Sequence, residues 1–176
     1  MFPLFHIAIP LVIFEIPYIK KKYRVNRIAL LIGSIFPDLA DKILSFLKLS
    51  NGRGYFHTLL FTFICFGIIF LISKGNKSIS VPFFIGMLFH LLLDLPYIPL
   101  FFPFIMYDFT YQGDPDWVHT LLTDPIVQIT ELIGFLIILF ILINNKLFRR
   151  RELIEFLIPR MGALQIPNPE ELVIEN

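Results

Sequence analysis

Residues 79–93 read ISVPFFIGMLFHLLL, an uncharged apolar run that ends at Asp94. Runs of similar character occupy residues 56–73 and 125–144, and the second of these is interrupted only by Glu131. A helix of about 20 apolar residues can cross the roughly 30 Å hydrocarbon core of a bilayer. Because 56% of the 176 residues are hydrophobic, more than in an ordinary soluble domain, the sequence predicts an all-α, polytopic helical membrane protein.

The apolar runs and the charges between them predict about five transmembrane or re-entrant helices. We expect them at residues 2–19, 28–48, 56–73, 79–101 and 125–144. The second segment is the least regular, because Pro37 removes a backbone hydrogen bond beside Asp38, which favours a bent or re-entrant helix. Residues 1–151 are therefore predicted to form a membrane-embedded helical domain, and residues 152–176 a cytoplasmic amphipathic or disordered tail.

Basic residues cluster after the first, third and fifth segments, at residues 20–27, 74–77 and 146–151. With five spans, these clusters lie on one side of the membrane, which the positive-inside rule makes cytoplasmic. We therefore expect a multi-pass protein of the cell membrane with its N-terminus outside and its C-terminus in the cytoplasm. The net charge is +1, and the basic residues form local clusters beside apolar runs, which argues against nucleic acid as a partner.

Six ionisable side chains lie in or beside the apolar segments, where a carboxylate costs roughly 2.5–3.5 kcal/mol on insertion scales. They are His6, Asp38, Asp41, His57, His90 and Asp94. The two carboxylates of the second segment, and the His and Asp of the fourth, are spaced to share one helix face. The predicted orientation brings all six to one depth between the midplane and the outer surface. Imidazole together with carboxylate suits zinc, manganese or iron, so these residues are candidate metal ligands.

Each candidate also has a purely structural interpretation. A buried His or Asp can hydrogen-bond a neighbouring helix, and Lys42 can neutralise an aspartate of its own segment. Arg53 lies in the segment NGRGYFHT, residues 51–58, whose glycines can turn it toward His57 to bind a phosphate or carboxylate. It can equally snorkel to the membrane interface. Glu131 is a weaker candidate for a ligand or a general base.

Three motifs within residues 1–100 carry a resemblance to a known family. They are Gly33-Ser34-Ile35-Phe36-Pro37-Asp38-Leu39-Ala40-Asp41-Lys42, Gly52-Arg53 followed by His57-Thr58-Leu59-Leu60, and Gly86 followed by His90-Leu91-Leu92-Leu93-Asp94. In order and spacing they resemble the YdjM-like membrane-bound metal-dependent hydrolases. The bacterial form of that family has a His where this chain has Gly52 and a Ser where it has Thr58, so the number of metal ions is left open. In its motifs the family resembles zinc-dependent phospholipase C and P1-type nucleases, which are helical proteins that bind metal through His and Asp. This resemblance implies phosphoester hydrolysis.

The residues and the resemblance together predict a membrane-embedded hydrolase that uses metal-activated water. The six candidate ligands would hold a divalent metal, zinc or alternatively manganese, as one or more ions. Lys42 or Arg53 would steady negative charge, and Glu131 or an aspartate would act as general base. The expected partners are membrane lipid and a phosphoester or lipid-like substrate that reaches the site laterally.

Two other functions are compatible with the same residues. An intramembrane metal or proton transporter would also use His and Asp, but residues 66–72 and 135–143 are uniformly apolar, which argues against a polar path to the cytoplasmic face. A non-catalytic membrane scaffold would use the polar cluster only to fix helix packing. Such a scaffold would purify without stoichiometric metal.

Overall fold

The computed structural model describes residues 3–49, 54–108 and 117–158, and this part of the chain is built from helices without a β-strand. In chain order the helices are α1 Pro3–Glu15, α2 Pro17–Lys22, α3 Arg27–Phe46, α4 Leu59–Ile72, α5 Lys77–Asp94, α6 Trp117–Thr123, α7 Pro125–Asn144 and α8 Arg150–Leu157. A 3₁₀ turn, Tyr55–His57, precedes α4. The predicted all-α class is confirmed.

Prolines set helix ends that the apolar pattern alone misplaces. The first predicted segment is split, because Ile16 precedes Pro17 and has an extended ψ of 125°. The fourth, expected to reach residue 101, ends at Asp94, since Pro96 follows closely and the residue before a proline disfavours the helical conformation. Pro37 behaves differently, because α3 continues through it.

Helices α3 and α5 pack more extensively than any other pair among the described residues, and two glycines allow their close approach. A methyl group at Gly33 would collide with the backbone of Phe83, and one at Gly86 would lie 2.8 Å from the backbone nitrogen of Ser34. Because both positions lack a Cβ atom, the two backbones come into contact. This crossing brings the first half of α3 against the middle of α5.

Helix α1 contacts α3 on one side and α7 on the other, while α4 packs on α5. Gly134 lets α7 approach the first turn of α1, where an added Cβ would lie 2.7 Å from backbone atoms of Leu4 and Phe5. The Glu131 carboxylate accepts hydrogen bonds there from the backbone amides of Leu4 (3.3 Å) and Phe5 (3.2 Å). The first amides of a helix have no partner within it, so Glu131 caps α1 from the neighbouring helix.

Two clusters of buried apolar side chains fill the bundle. One joins α1, α3, α7 and α8 through Leu11, Val25, Leu30, Ile141, Leu147 and Phe156. The other joins α3, α4 and α5 through Ala29, Cys65, Phe83 and Met87. The domain boundary predicted after residue 151 thus falls inside α8, whose Phe156 belongs to the core. Residues 159–176 of the predicted tail lie outside the described residues.

In the described part of the chain, α5 and α7 are long and apolar enough to cross a membrane by length and composition. Helices α1 and α4 have 13 and 14 residues, about 20 Å at 1.5 Å per residue, which is short of a full span. Helix α3 has 20 residues but includes Asp38, Asp41 and Lys42. An arrangement of five spanning or re-entrant helices therefore stays a prediction, for which α5 and α7 are suitable in length and composition.

Candidate metal centre

Four side chains that could hold one ion converge between α3, α5 and the 3₁₀ turn. They are Asp38 of α3, His57 of the turn, and His90 and Asp94 of α5. One ligand atom from each lies within 4.8 Å of the other three. We call these four residues the metal group. His57, His90 and Asp94 are buried, whereas 14% of the Asp38 side chain is exposed, so the metal group opens to the surface at Asp38.

Two imidazole nitrogens lie at the middle of the metal group. The Nε2 atom of His57 is 3.1 Å from His90 Nε2, 3.3 Å from Asp38 Oδ1 and 3.5 Å from Asp94 Oδ2. The Nε2 atom of His90 is 3.6 Å from Asp38 Oδ1 and 3.4 Å from Asp94 Oδ2. His90 and Asp94 meet because they are one turn apart on α5, whereas His57 arrives from a separate element.

The other ring nitrogen of His57 is held by Asp41. Its Nδ1 atom lies 2.6 Å from Asp41 Oδ2, and the same oxygen accepts hydrogen bonds from the backbone amides of Gly54 (3.0 Å) and Phe56 (3.1 Å). Asp41 therefore fixes both the turn and the ring, and it keeps the Nδ1 proton on the side away from the metal group. Asp41 was predicted as a ligand, but the structure places it behind His57.

His90 is oriented in the same way by a backbone group. Its Nδ1 atom lies 2.6 Å from the carbonyl oxygen of Ser34, which can only accept, so Nδ1 carries the proton. In their neutral forms both rings then direct the Nε2 lone pair into the 3.1 Å gap between them. Lone pairs and carboxylates this close repel one another unless a proton or a metal cation lies between them. The donor set therefore fits a divalent cation.

His6 of α1 approaches from the other side of Asp94. Its Nε2 atom is 3.3 Å from Asp94 Oδ1, whereas His57 and His90 face the second carboxylate oxygen, Oδ2. The His6 ring is buried, with its centroid 4.3 Å from that of His90. His6 thus lies beside the metal group as a fifth candidate ligand.

A comparison with protein-family models gives a match that covers nearly the whole helical bundle. The family model described as YdjM inner membrane protein matches residues 1–154. The chain belongs to the YdjM inner membrane protein family. Membership confirms the resemblance seen in the three motifs, and together with the apolar helices α5 and α7 it indicates a membrane location. Comparison with curated proteins and with solved structures finds no match.

Of the residues predicted to assist catalysis in this YdjM-family protein, Lys42 lies near the metal group and Glu131 does not. Lys42 lies one helical turn from Asp38, with its Nζ atom 3.7 Å from Asp38 Oδ2, at the open edge of the metal group. Arg53 lies outside the described residues. Glu131 binds the first turn of α1, and these contacts give no support to its predicted role as general base.

The sequence pattern of this YdjM-family protein predicted Asp41, which orients His57, as a ligand, and it gave no sign of the Ser34 carbonyl that orients His90. No side-chain pattern marks the Ser34 carbonyl, because any residue could present that oxygen. Gly33 and Gly86 did carry a usable signal, since small residues in apolar helices indicate close helix crossing. As parts of the family motifs, these two glycines gave no prediction of which helices pack together.

Proposed function

We propose that this protein is a membrane-embedded metal-dependent hydrolase that cleaves a phosphoester of a lipid-like substrate. The supporting observation is the convergence of two imidazoles and two carboxylates inside the bundle of a membrane protein family. Hydrolytic metal ions use this donor chemistry. Burying the same groups without a cation between them would destabilise the bundle.

Zinc is compatible with the donor distances around the two histidines. Zinc binds His and Asp at about 2.0–2.2 Å in a tetrahedron, which puts neighbouring ligand atoms about 3.3–3.6 Å apart. The five distances that involve His57 Nε2 or His90 Nε2 range from 3.1 to 3.6 Å. When bound, such an ion activates water near neutral pH and polarises the phosphoester. Manganese is the alternative, and His6 beside Asp94 is compatible with more than one ion.

The remaining roles belong to Asp38 and Lys42, at the open edge of the metal group, and to Arg53. Asp38 directs Oδ1 at the two histidines and Oδ2 at Lys42. This arrangement supports Asp38 as the general base, with Oδ2 accepting the proton of the attacking water. The Lys42 ammonium offers a positive charge to a phosphate oxygen. Arg53, one residue before the Gly54 amide that Asp41 binds, is the second candidate cation.

The surroundings of the open edge favour a substrate that arrives from the lipid. Leu39, Ile43 and Phe46 are exposed on α3 beside Asp38 and Lys42. A lipid-like substrate can lie along this apolar face, whereas a water-soluble one gains nothing from it. If the N-terminus lies outside and the C-terminus in the cytoplasm, as the charge pattern predicts, then Lys77 marks the cytoplasmic end of α5. His90, about 20 Å along the helix from Lys77, would then lie in the outer half of the membrane.

Metal quantification on the purified protein tests this proposal. Wild type should retain stoichiometric zinc, while His90→Ala and Asp38→Ala should lose it. His119→Ala is the matched control, because His119 is exposed on α6 and does not belong to the metal group. Hydrolysis of a soluble aryl phosphate ester and of a lipid phosphate ester in mixed micelles should follow metal content, with the lipid ester preferred.

Each contrary outcome selects another interpretation. Metal that stays bound in both variants would refute the ligand set. Wild type without stoichiometric metal would favour the scaffold over the hydrolase. Bound metal without cleavage of either ester, combined with metal uptake into proteoliposomes, would favour the transporter.

A further inference from the structure

Two segments distant in the sequence bring exposed cations to the same end of the bundle. The first is α2 with the residues that follow it, and the second is the turn between α7 and α8 with the start of α8. Their exposed basic residues are Lys20, Lys21, Lys22, Arg24, Lys146, Arg149, Arg150 and Arg151. We call this surface the basic face.

A partly buried network of ion pairs and hydrogen bonds holds the two segments together. Glu15 accepts from Lys20 Nζ through one oxygen and from Arg27 through the other, each at 2.6 Å. Lys20 also donates to the side-chain oxygen of Asn145 at 2.8 Å. Arg27 donates to the carbonyl oxygen of Phe156 at 2.9 Å and stacks on its ring, 4.2 Å from the centroid. The basic face is therefore preassembled, since α2 and α8 are both fixed to the core.

Most cations of the basic face have no carboxylate partner within the described residues. Both oxygens of Glu15 are used by Lys20 and Arg27, and Glu155 pairs with Arg151. No ion pair within residues 3–49, 54–108 or 117–158 involves Lys21, Lys22, Arg24, Lys146, Arg149 or Arg150. These like charges repel one another, and an external anion would relieve the repulsion.

Apolar side chains are exposed on the same two segments. Tyr18 is 72% exposed and Phe148 76%, and Tyr23, Ile154 and Ile158 are about half exposed. Lys22 lies over the rings of both tyrosines, 5.9 and 5.4 Å from their centroids. Aromatic residues beside lysines and arginines are typical of the membrane–water interface.

We propose that the basic face binds the phosphate headgroups of anionic phospholipids in the leaflet at that end of the bundle. The cations supply charge complementarity, and the exposed aromatic and aliphatic side chains enter the boundary between headgroups and acyl chains. Lipid is the favoured partner because α8 follows α7, which is long and apolar enough to cross a membrane, in a chain of a membrane protein family. If α7 spans the bilayer, headgroups lie at the level of the basic face. The binding is independent of the metal group and of the proposed reaction.

Thermal unfolding in an uncharged detergent tests this site. Adding phosphatidylglycerol should raise the Tm of wild type by roughly 2–4 °C or more above the value with phosphatidylcholine. The difference should shrink in high salt. It should be largely lost in the variant Lys21→Gln, Lys22→Gln, Arg149→Gln, Arg150→Gln, which without lipid should unfold at the wild-type temperature or higher because only exposed, repelling charges are removed.

The paired variant Lys74→Gln, Lys77→Gln is the matched control for Lys21→Gln, Lys22→Gln. It removes the same charge from two exposed residues, one in the turn after α4 and one at the start of α5, and should keep the response to phosphatidylglycerol. Equal Tm values with the two lipids in wild type would overturn the site. Equal losses in the two paired variants would show a response to net charge alone and would also overturn it. A response that appears only after residues 159–176, with Glu170, Glu171 and Glu175, are removed would identify that segment as the occupant instead.

Discussion

Asp38 and Asp41 are the same residue type, three positions apart on α3, yet they do different things. Asp38 directs its oxygens at the metal group and at Lys42. Asp41 accepts three hydrogen bonds, from His57 Nδ1 and two backbone amides, through a single oxygen. Ligands oriented by such an outer carboxylate bind metal more strongly because the imidazole is held in place and made more basic.

This difference predicts distinct effects of the same substitution. Asp41→Asn should weaken metal affinity by about 10- to 100-fold while saturable binding persists, because the ligands themselves remain. Asp38→Asn should abolish stoichiometric binding. Competition against a chromophoric chelator measures both. If Asp41→Asn loses metal as completely as Asp38→Asn, then Asp41 is a ligand after all.

At the scale of elements, the contact between α3 and α5 positions the metal group. Ser34 reaches His90, and Asp38 lies near it, only because the backbones meet at Gly33 and Gly86. Shifting the two helices apart by the width of a methyl group would lengthen each of these contacts. The glycines therefore influence metal binding without touching the ion.

Gly86→Ala should destabilise the protein and lower its metal content together. Overpacking of this kind costs about 1–3 kcal/mol, because the new methyl would meet backbone atoms of Leu30 and Ser34. Gly67→Ala on α4 is the control, since nothing apart from the adjoining backbone of α4 lies within 4 Å of its added Cβ and alanine favours the helix by about 0.5–1 kcal/mol. Thermal unfolding and metal analysis on both variants check this, and a Gly86→Ala protein that behaves like Gly67→Ala would show that the helices are not in close contact.

At the scale of the whole molecule, the metal group joins helices that are far apart along the chain. Asp38 lies on α3, His57 precedes α4 and His90 belongs to α5, and His6 adds α1 through Asp94. An ion held by these residues connects the elements of the bundle. Its binding free energy therefore adds to the stability of the native state.

Metal removal should accordingly destabilise wild type. At a free zinc concentration of 100 times the Kd, the bound ion contributes about 2.7 kcal/mol, so adding a strong chelator should lower the Tm by several degrees. Asp38→Ala, which lacks a ligand, should unfold at the same temperature with and without chelator. A wild-type Tm that does not respond to chelator would contradict a metal that stabilises this bundle.

Much of the helical architecture is predictable from residues 56–73, 79–93 and 125–144 taken alone. A chain in lipid has to satisfy its backbone polar groups within each segment, so a long apolar run is enough to predict a helix. The pairing of His90 with Asp94 is equally local, because it depends only on the rise and turn of one helix. Ionisable residues within such runs are enough to indicate a candidate site.

Tertiary packing decides which helices are neighbours, and the roles of Asp41 and Glu131 depend on those neighbours. The pattern that predicted Asp41 as a ligand and Glu131 as a general base contains nothing about the 3₁₀ turn beside Asp41 or the amides of α1 beside Glu131. Those contacts join residues 13 and 127 positions apart. Composition and periodicity describe single segments, whereas a coordination sphere is assembled from several segments. The candidate ligands can therefore be predicted from the sequence. Their division into ligands and orienting groups depends on contacts that only the tertiary structure provides.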